Sequence, residues 1–122
     1  MSRVFVFALL DDLLFRSKLE AAAAPLNTTL CCASETGALP ALPKGEPFAL
    51  AIVDLGLSGE DPFHAIQRLR AAWPATPIVA FGSHVDADAL ARAKQVGCLV
   101  LPRSAFVQRL PSLLSGGGLS GV

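Results

Sequence analysis

A doubly wound α/β domain with a covered parallel sheet is the fold class this sequence predicts, from three observations. Short, wholly apolar runs alternate with longer amphipathic stretches, the order expected of repeated strand–helix units. The 122 residues suffice for one core and not for two, so a single domain is expected. Hydrophobic residues make up 52% and charged ones 16%, against roughly 25% charged in an average domain, so burial can offset the entropy of ordering the chain.

Residues 3–9 are aromatic, aliphatic or β-branched almost throughout and read as a buried strand. Asp11 or Asp12 then caps a helix over 13–24, rich in Leu and Ala and stopped by Pro25. Residues 28–33 give a second strand. The segment 34–47 carries Gly37, Pro40, Pro43, Gly45 and Pro47, too many breakers for more than one short, frayed helical turn. Residues 48–55 form the central strand by composition, apolar until Asp54.

Asp61 caps the next helix and Pro62 opens it. Phe63, Ile66, Leu69 and Trp73 recur there at helical spacing as a core stripe, and Pro74 ends the run. Residues 76–81 are the fourth strand, and Asp86 or Asp88 starts a helix that closes at Gly97. Residues 98–101 are the fifth strand, before Pro102. Ser104 is the expected cap of a last helix weakened by Pro111. Residues 1–114 are read as the domain and 115–122, with four glycines, as a flexible tail or linker stub. Connections of these lengths imply right-handed crossovers, and in such sheets reactive groups gather at the carboxyl ends of the strands.

Ten basic and ten acidic side chains cancel, which argues against a nucleic-acid surface and against a polybasic membrane anchor. The longest apolar runs, 4–10 and 48–53, fall far short of the roughly 18 residues of a membrane span. Asp11 and Asp12 interrupt what would otherwise imitate a signal peptide, so a cytoplasmic protein is expected. Cys31 and Cys32 are adjacent and Cys98 stands apart, which is neither a disulfide framework nor zinc-ligand spacing. All three read as small buried hydrophobes. His64 and His84 are single histidines without evident ligand partners.

Asp54 is the most informative residue. A carboxylate ending an apolar strand is costly to bury without hydrogen bonds or a cation, so it belongs at a rim, capped by amides, or in a polar pocket. The stretch Ala51-Ile52-Val53-Asp54-Leu55-Gly56-Leu57-Ser58-Gly59 resembles the segment around the phosphoaccepting aspartate of receiver domains of two-component response regulators. Thr76-Pro77-Ile78-Val79-Ala80-Phe81 is similar to the fourth receiver strand, Ala93-Lys94-Gln95-Val96-Gly97-Cys98 to the end of the fourth helix, and Leu99-Val100-Leu101-Pro102 to the fifth strand. The likeness covers residues 3 to about 114 and implies a CheY-like, flavodoxin-like (βα)5 fold with strand order 2-1-3-4-5.

The resemblance also implies a set of site positions. An acidic pair after the first strand would hold Mg²⁺ together with the phosphoacceptor, Asp54. Anchored on Leu14-Phe15-Arg16, that pair falls on Leu10 and Asp11, with Asp12 following; counted from the strand start it falls on Phe7 and Ala8, with no acid. The hydroxyl position is Gly82, with Ser83 beside it, and the aromatic switch position is Cys98. The lysine position is Leu101, whose aliphatic side chain cannot replace an ammonium against a phosphoryl oxygen. Arg103 is a displaced substitute or a solvated surface arginine. Metal is expected only if Asp11 and Asp54 bind Mg²⁺; otherwise there is no cofactor. Asp54 is alternatively a cap for the loop 56–59, and Asp11 and Asp12 helix caps.

These losses point to a degenerate pseudo-receiver: no enzyme, but a signalling module acting through protein–protein contact. The alternative is a conventional Mg²⁺-dependent phosphoaccepting receiver using Asp54. A histidine kinase or an output domain is the expected partner, with homodimerisation through the 83–97 and 103–114 face. The apolar Phe106, Val107, Leu110, Leu113 and Leu114 either form an exposed patch there or pack wholly inward. A nucleotide-binding enzyme is disfavoured, because no G-x-G-x-x-G or G-x-x-x-x-G-K-S/T is present.

Overall fold

The computed structural model describes residues 4–37, 39–40, 47–83 and 85–117. Five strands, β1 (Val4–Leu9), β2 (Thr28–Ala33), β3 (Leu50–Asp54), β4 (Ile78–Gly82) and β5 (Leu99–Pro102), form one sheet in the order β2-β1-β3-β4-β5. Every neighbouring pair is parallel. The helices are α1 (Leu13–Ala23), α2 (Pro62–Ala72), α3 (Ala87–Val96) and α4 (Arg103–Ser112). Among the described residues no helix joins β2 to β3; residues 38 and 41–46 of the expected helical turn lie outside them, as do His84 and residues 118–122.

The helix starts are set by short polar side chains. Asp12 Oδ1 accepts from the Phe15 amide at 3.0 Å, Asp61 from Phe63 at 2.8 Å and Asp86 from Ala89 at 2.9 Å. Gly97 ends α3 at φ 67°, a left-handed conformation that a side chain would strain. Ser104 does not cap α4. The helix begins at Arg103 behind Pro102, whose ring cannot offer a cap, so no side chain satisfies its first amides. Pro111 lies inside the helix, which runs on to Ser112 and widens into a π turn over Leu113–Gly117. The missing Pro111 amide is tolerated because Leu110, Leu113 and Leu114 are all buried.

Period-two alternation divides the core into two layers. Val6, Ala8 and Leu10, then Leu50 and Ile52, then Val79 and Phe81, pack beneath α1 and α4. Phe7 and Leu9, Ala51 and Val53, and Ile78 and Ala80 pack beneath α2 and α3. The first layer is organised by aromatic rings: Phe81 stacks on Phe106 with centroids 4.5 Å apart and 10° between planes, and Phe15 lies 4.9 Å from Phe81. In the second layer Phe7, Phe48 and Trp73 meet at 4.7–5.8 Å. Cys31 and Cys32, successive in β2, contribute to opposite layers, and all three cysteines are free and half-buried, their thiols pushed up by burial.

The apolar residues of the last helix turn inward. Phe106, Leu110, Leu113 and Leu114 are buried and Val107 packs partly against them, so of the two readings of these residues the inward one holds. The C-terminal turn is also tied down where Thr28 Oγ1 donates to the Leu114 carbonyl, a buried bond. Large exposed apolar side chains are instead Leu13 and Leu14 at the start of α1, and Leu90 on α3.

Because Phe106 joins the helix to the stacked rings with no exposed surface, F106A is expected to cost about 3–5 kcal/mol in urea denaturation. A loss below about 1 kcal/mol would mean that α4 is not seated on the sheet as described.

Candidate functional site

The carboxyl ends of β1, β3, β4 and β5 bring Asp11 and Asp12, Asp54, Gly82 and Ser83, and Leu101 and Arg103 to one edge of the sheet. Asp54 closes β3 and is 2% exposed. It follows Leu50 and Ile52 in the alternation and so faces the α1–α4 layer. Its cross-strand partner is Phe81, whose own partner on β5 is Leu101. On the other side Leu10 follows Leu9, which pairs with Val53. The carboxylate is thus embedded in a row of apolar side chains.

Asp54 Oδ1 accepts from the Gly56 amide at 2.8 Å. Glycine permits that approach, since a Cβ at 56 would come within 3.1 Å of the same oxygen. Burial raises the Asp54 pKa above its ordinary value. The Gly56 bond and then the Arg103 charge pull it back, while Asp11 and Asp12 push it up further.

Asp11 is exposed, and its Oδ2 accepts from both the amide of Ser58, at 3.0 Å, and its hydroxyl, at 2.7 Å. Those two bonds hold its carboxyl below the usual range. Asp11 therefore latches the β3–α2 loop through Oδ2. A second latch joins the same loop to the segment after β2: Glu60 accepts from the amide and hydroxyl of buried Thr36 at 2.7 and 2.9 Å. Asp12 spends Oδ1 on the α1 cap and has Oδ2 3.8 Å from Arg103 Nη1. Phe7 and Ala8, where a count from the strand start puts the acidic pair, are fully buried within β1.

Arg103 is only partly seated: its side chain is 36% exposed, while the guanidinium lies against aromatic rings. Its guanidinium carbon sits 4.7 Å from the centroid of the Phe15 ring and 5.4 Å from that of Phe81. Its Nε is buried without a hydrogen-bond partner. Leu101 packs into the aromatic layer, Cys98 lies just before β5 against the opposite layer, and Gly82 is buried with Ser83 exposed next to it. A groove of about 490 Å³ runs beside α1, lined by Leu10, Asp11, Asp12, Leu13, Arg16, Cys32, Ala33 and Ser34; Asp54 is not in its wall. His64 lines a separate groove between α2 and α3, near the Arg92–Asp61 ion pair at 2.9 Å.

Mg²⁺ requires near-octahedral oxygen donors at about 2.0–2.1 Å. The donors here do not converge: among the described residues no group of three or more acidic, histidine or cysteine side chains is placed to hold a metal ion. With Asp11 held by Ser58, Asp12 by its helix cap and Arg103 beside it, the carboxylates as they stand do not form a ready site for the ion that the resemblance implies.

Solved structures carry the same architecture. A response regulator from Burkholderia pseudomallei, crystallised with a phosphorylated aspartic acid, calcium ion and citrate, superposes with a TM-score of 0.73 at 19% identity over 93% of this chain. A CheY-like receiver domain protein from Methanospirillum hungatei JF-1 gives 0.74 at 12% identity over 93% of this chain and 94% of its own. The chain has the receiver fold. The phosphorylated cyanobacterial phytochrome response regulator RcpA gives a TM-score of 0.72 at 13% identity, covering 99% of this chain and 97% of its own. This chain spans 66% of the Burkholderia protein, just under two thirds of its length. No protein-family model and no curated protein matches the sequence. No helix of the described residues is long and apolar enough to cross a membrane.

Sequence reasoning missed Ser58, Thr36 and Glu60 as loop fasteners and Phe15 and Phe81 as the seat of Arg103. For Ser58 a signal existed, a hydroxyl in the Gly-rich loop after Asp54. The rings carried none, because aromatic residues in strands and helices read as core.

The folded state holds the Asp54 proton more tightly than the unfolded chain, so its contribution lowers stability as pH rises from the ordinary value of 3.8 through the raised folded one. Asparagine keeps the acceptor for Gly56 without the charge. D54N is therefore expected to be more stable than wild type at neutral pH, with the gain vanishing below pH 3.8, in urea titrations across that window. A gain independent of pH would show that the carboxylate charge is not what costs stability.

Proposed function

We propose that this chain is a pseudo-receiver: a non-catalytic signalling module of the receiver type that acts by protein–protein contact without Mg²⁺-assisted phosphoryl transfer. One observation carries the reading. The acceptor position, Asp54, is present and buried, while Leu101 stands where the resemblance puts the phosphoryl-binding lysine. The surroundings support it, since Asp11 and Asp12 are each engaged by other partners and Leu10, next after the Leu9 that pairs with Val53, is apolar and buried. An acyl phosphate at position 54 would add close to two negative charges to a buried position whose cross-strand neighbours are Phe81 and, beyond it, Leu101. Ser83 is the only hydroxyl at the end of β4, and it is one residue past the position that would meet a phosphoryl oxygen.

A conventional receiver using Asp54 is the second reading, and Arg103 favours it: the guanidinium supplies a cation whose charge acts on Asp54. In both readings the expected partner is a protein, a histidine kinase or an output domain, in the cytoplasm. Residues 115–122 are proposed as a tail or linker outside the module.

Incubation with Mg²⁺ and acetyl phosphate, read by intact-protein mass spectrometry, separates the two. The pseudo-receiver reading expects no phosphoryl adduct, and no spectroscopic response to beryllofluoride. An adduct that is absent from D54N would establish the conventional receiver instead.

A further inference from the structure

Arg103 is badly placed for its own helix. As the first residue of α4 it puts a positive charge at the positive end of the helix dipole, with no side-chain cap to offset it. Its side chain nevertheless folds back over the sheet edge, with Nε buried although about a third of the side chain stays exposed. It lies over Phe15 and Phe81, and those rings are fixed by the Phe81–Phe106 stack beneath them. Guanidinium groups, planar and weakly hydrated, suit such a seat better than ammonium groups do. The seat holds the charge beside Asp12 at 3.8 Å, with Asp54 and Asp11 at the same sheet edge. No second basic side chain is paired with these three carboxylates among the described residues.

We infer that the Arg103 guanidinium, seated on Phe15 and Phe81, is the resident counter-ion of Asp12 and Asp54 at this edge and keeps divalent cations out of it. This deepens the pseudo-receiver reading and rests on it. A divalent ion would need Asp12 and Asp54 turned toward a common point, and a cation held 3.8 Å from Asp12 at the same edge weakens the field that would draw the ion in. The site is thereby neutralised from within the chain, and its charge is carried by the helix that a partner would meet. Arg103 is a positioning residue in this account, because it acts through the carboxylates and touches no substrate.

The test uses the full chain as wild type and R103M, each melted in EDTA and in millimolar MgCl₂ against an NaCl control of equal ionic strength. Wild type is expected to show no Mg²⁺-specific shift. R103M is expected to melt lower in EDTA and to recover by about 3–6 °C with Mg²⁺, as linkage to a newly formed site requires. A purely structural arginine would give the first loss without the second effect. Mg²⁺ stabilising wild type as much as R103M, or failing to stabilise R103M, would overturn the inference.

A measurement on wild type alone keeps the question open to refutation if R103M does not fold. The Arg103 Nε–H resonance is expected to be slowed in exchange and shifted upfield by the two rings, and unmoved by Mg²⁺. A random-coil position, or displacement by Mg²⁺, would contradict the seat. Phosphoryl uptake by a wild-type protein that ignores Mg²⁺ would refute the pseudo-receiver reading and leave the counter-ion intact, so the two failures are distinguishable.

Discussion

A carboxylate ends a strand whose four other residues are apolar and buried; its partner across the sheet is Phe81, and on the β1 side buried Leu10 follows the Leu9 that pairs with Val53. Desolvation of that charge is the constraint around which the carboxyl edge is built. One oxygen is satisfied locally, by a Gly56 amide that comes close only because position 56 lacks a Cβ. The remaining compensation is electrostatic and arrives from α4, the last helix of the fold. Two neighbouring aspartates work in the opposite sense, which is why their own partners, Ser58 for Asp11 and Arg103 for Asp12, matter to Asp54.

Aromatic packing and electrostatics are thereby joined. The Phe81–Phe106 stack attaches α4 to β4, and Phe15 brings α1 to the same rings. The upper surface of that assembly is the seat of Arg103. A shift of α4 would move the guanidinium relative to Asp12 and Asp54, and a change of charge at Asp54 would act on the helix in return. In a fold whose parallel strands are covered on both faces, this edge is where such coupling can reach the surface.

The sequence made the sheet legible because its strands are apolar on both faces and its helices begin at Asp12, Asp61 and Asp86, residues with a local capping preference. Boundaries moved by one or two residues where composition is silent: β3 starts at Leu50 rather than 48, and β5 runs one residue later than expected. Pro111, read as weakening the last helix, is accommodated within it, since tertiary burial of Leu113 and Leu114 outweighs one lost amide. Asp54 was legible because a charge after an apolar run is conspicuous. Where Arg103 points was not, because its direction depends on rings drawn from α1 and β4, 88 and 22 residues earlier in the chain. The latches were equally hidden, Asp11 meeting Ser58 across 47 residues and Thr36 meeting Glu60 across 24.

The most direct measurement is the titration of the Asp54 side-chain carboxyl by ¹³C NMR in metal-free wild-type protein. A buried, only partly compensated carboxylate titrates above the ordinary aspartate value of 3.8. A midpoint at or below 3.8 would mean that a cation pairs fully with Asp54, and the account of an apolar row relieved from a distance by Arg103 would be wrong.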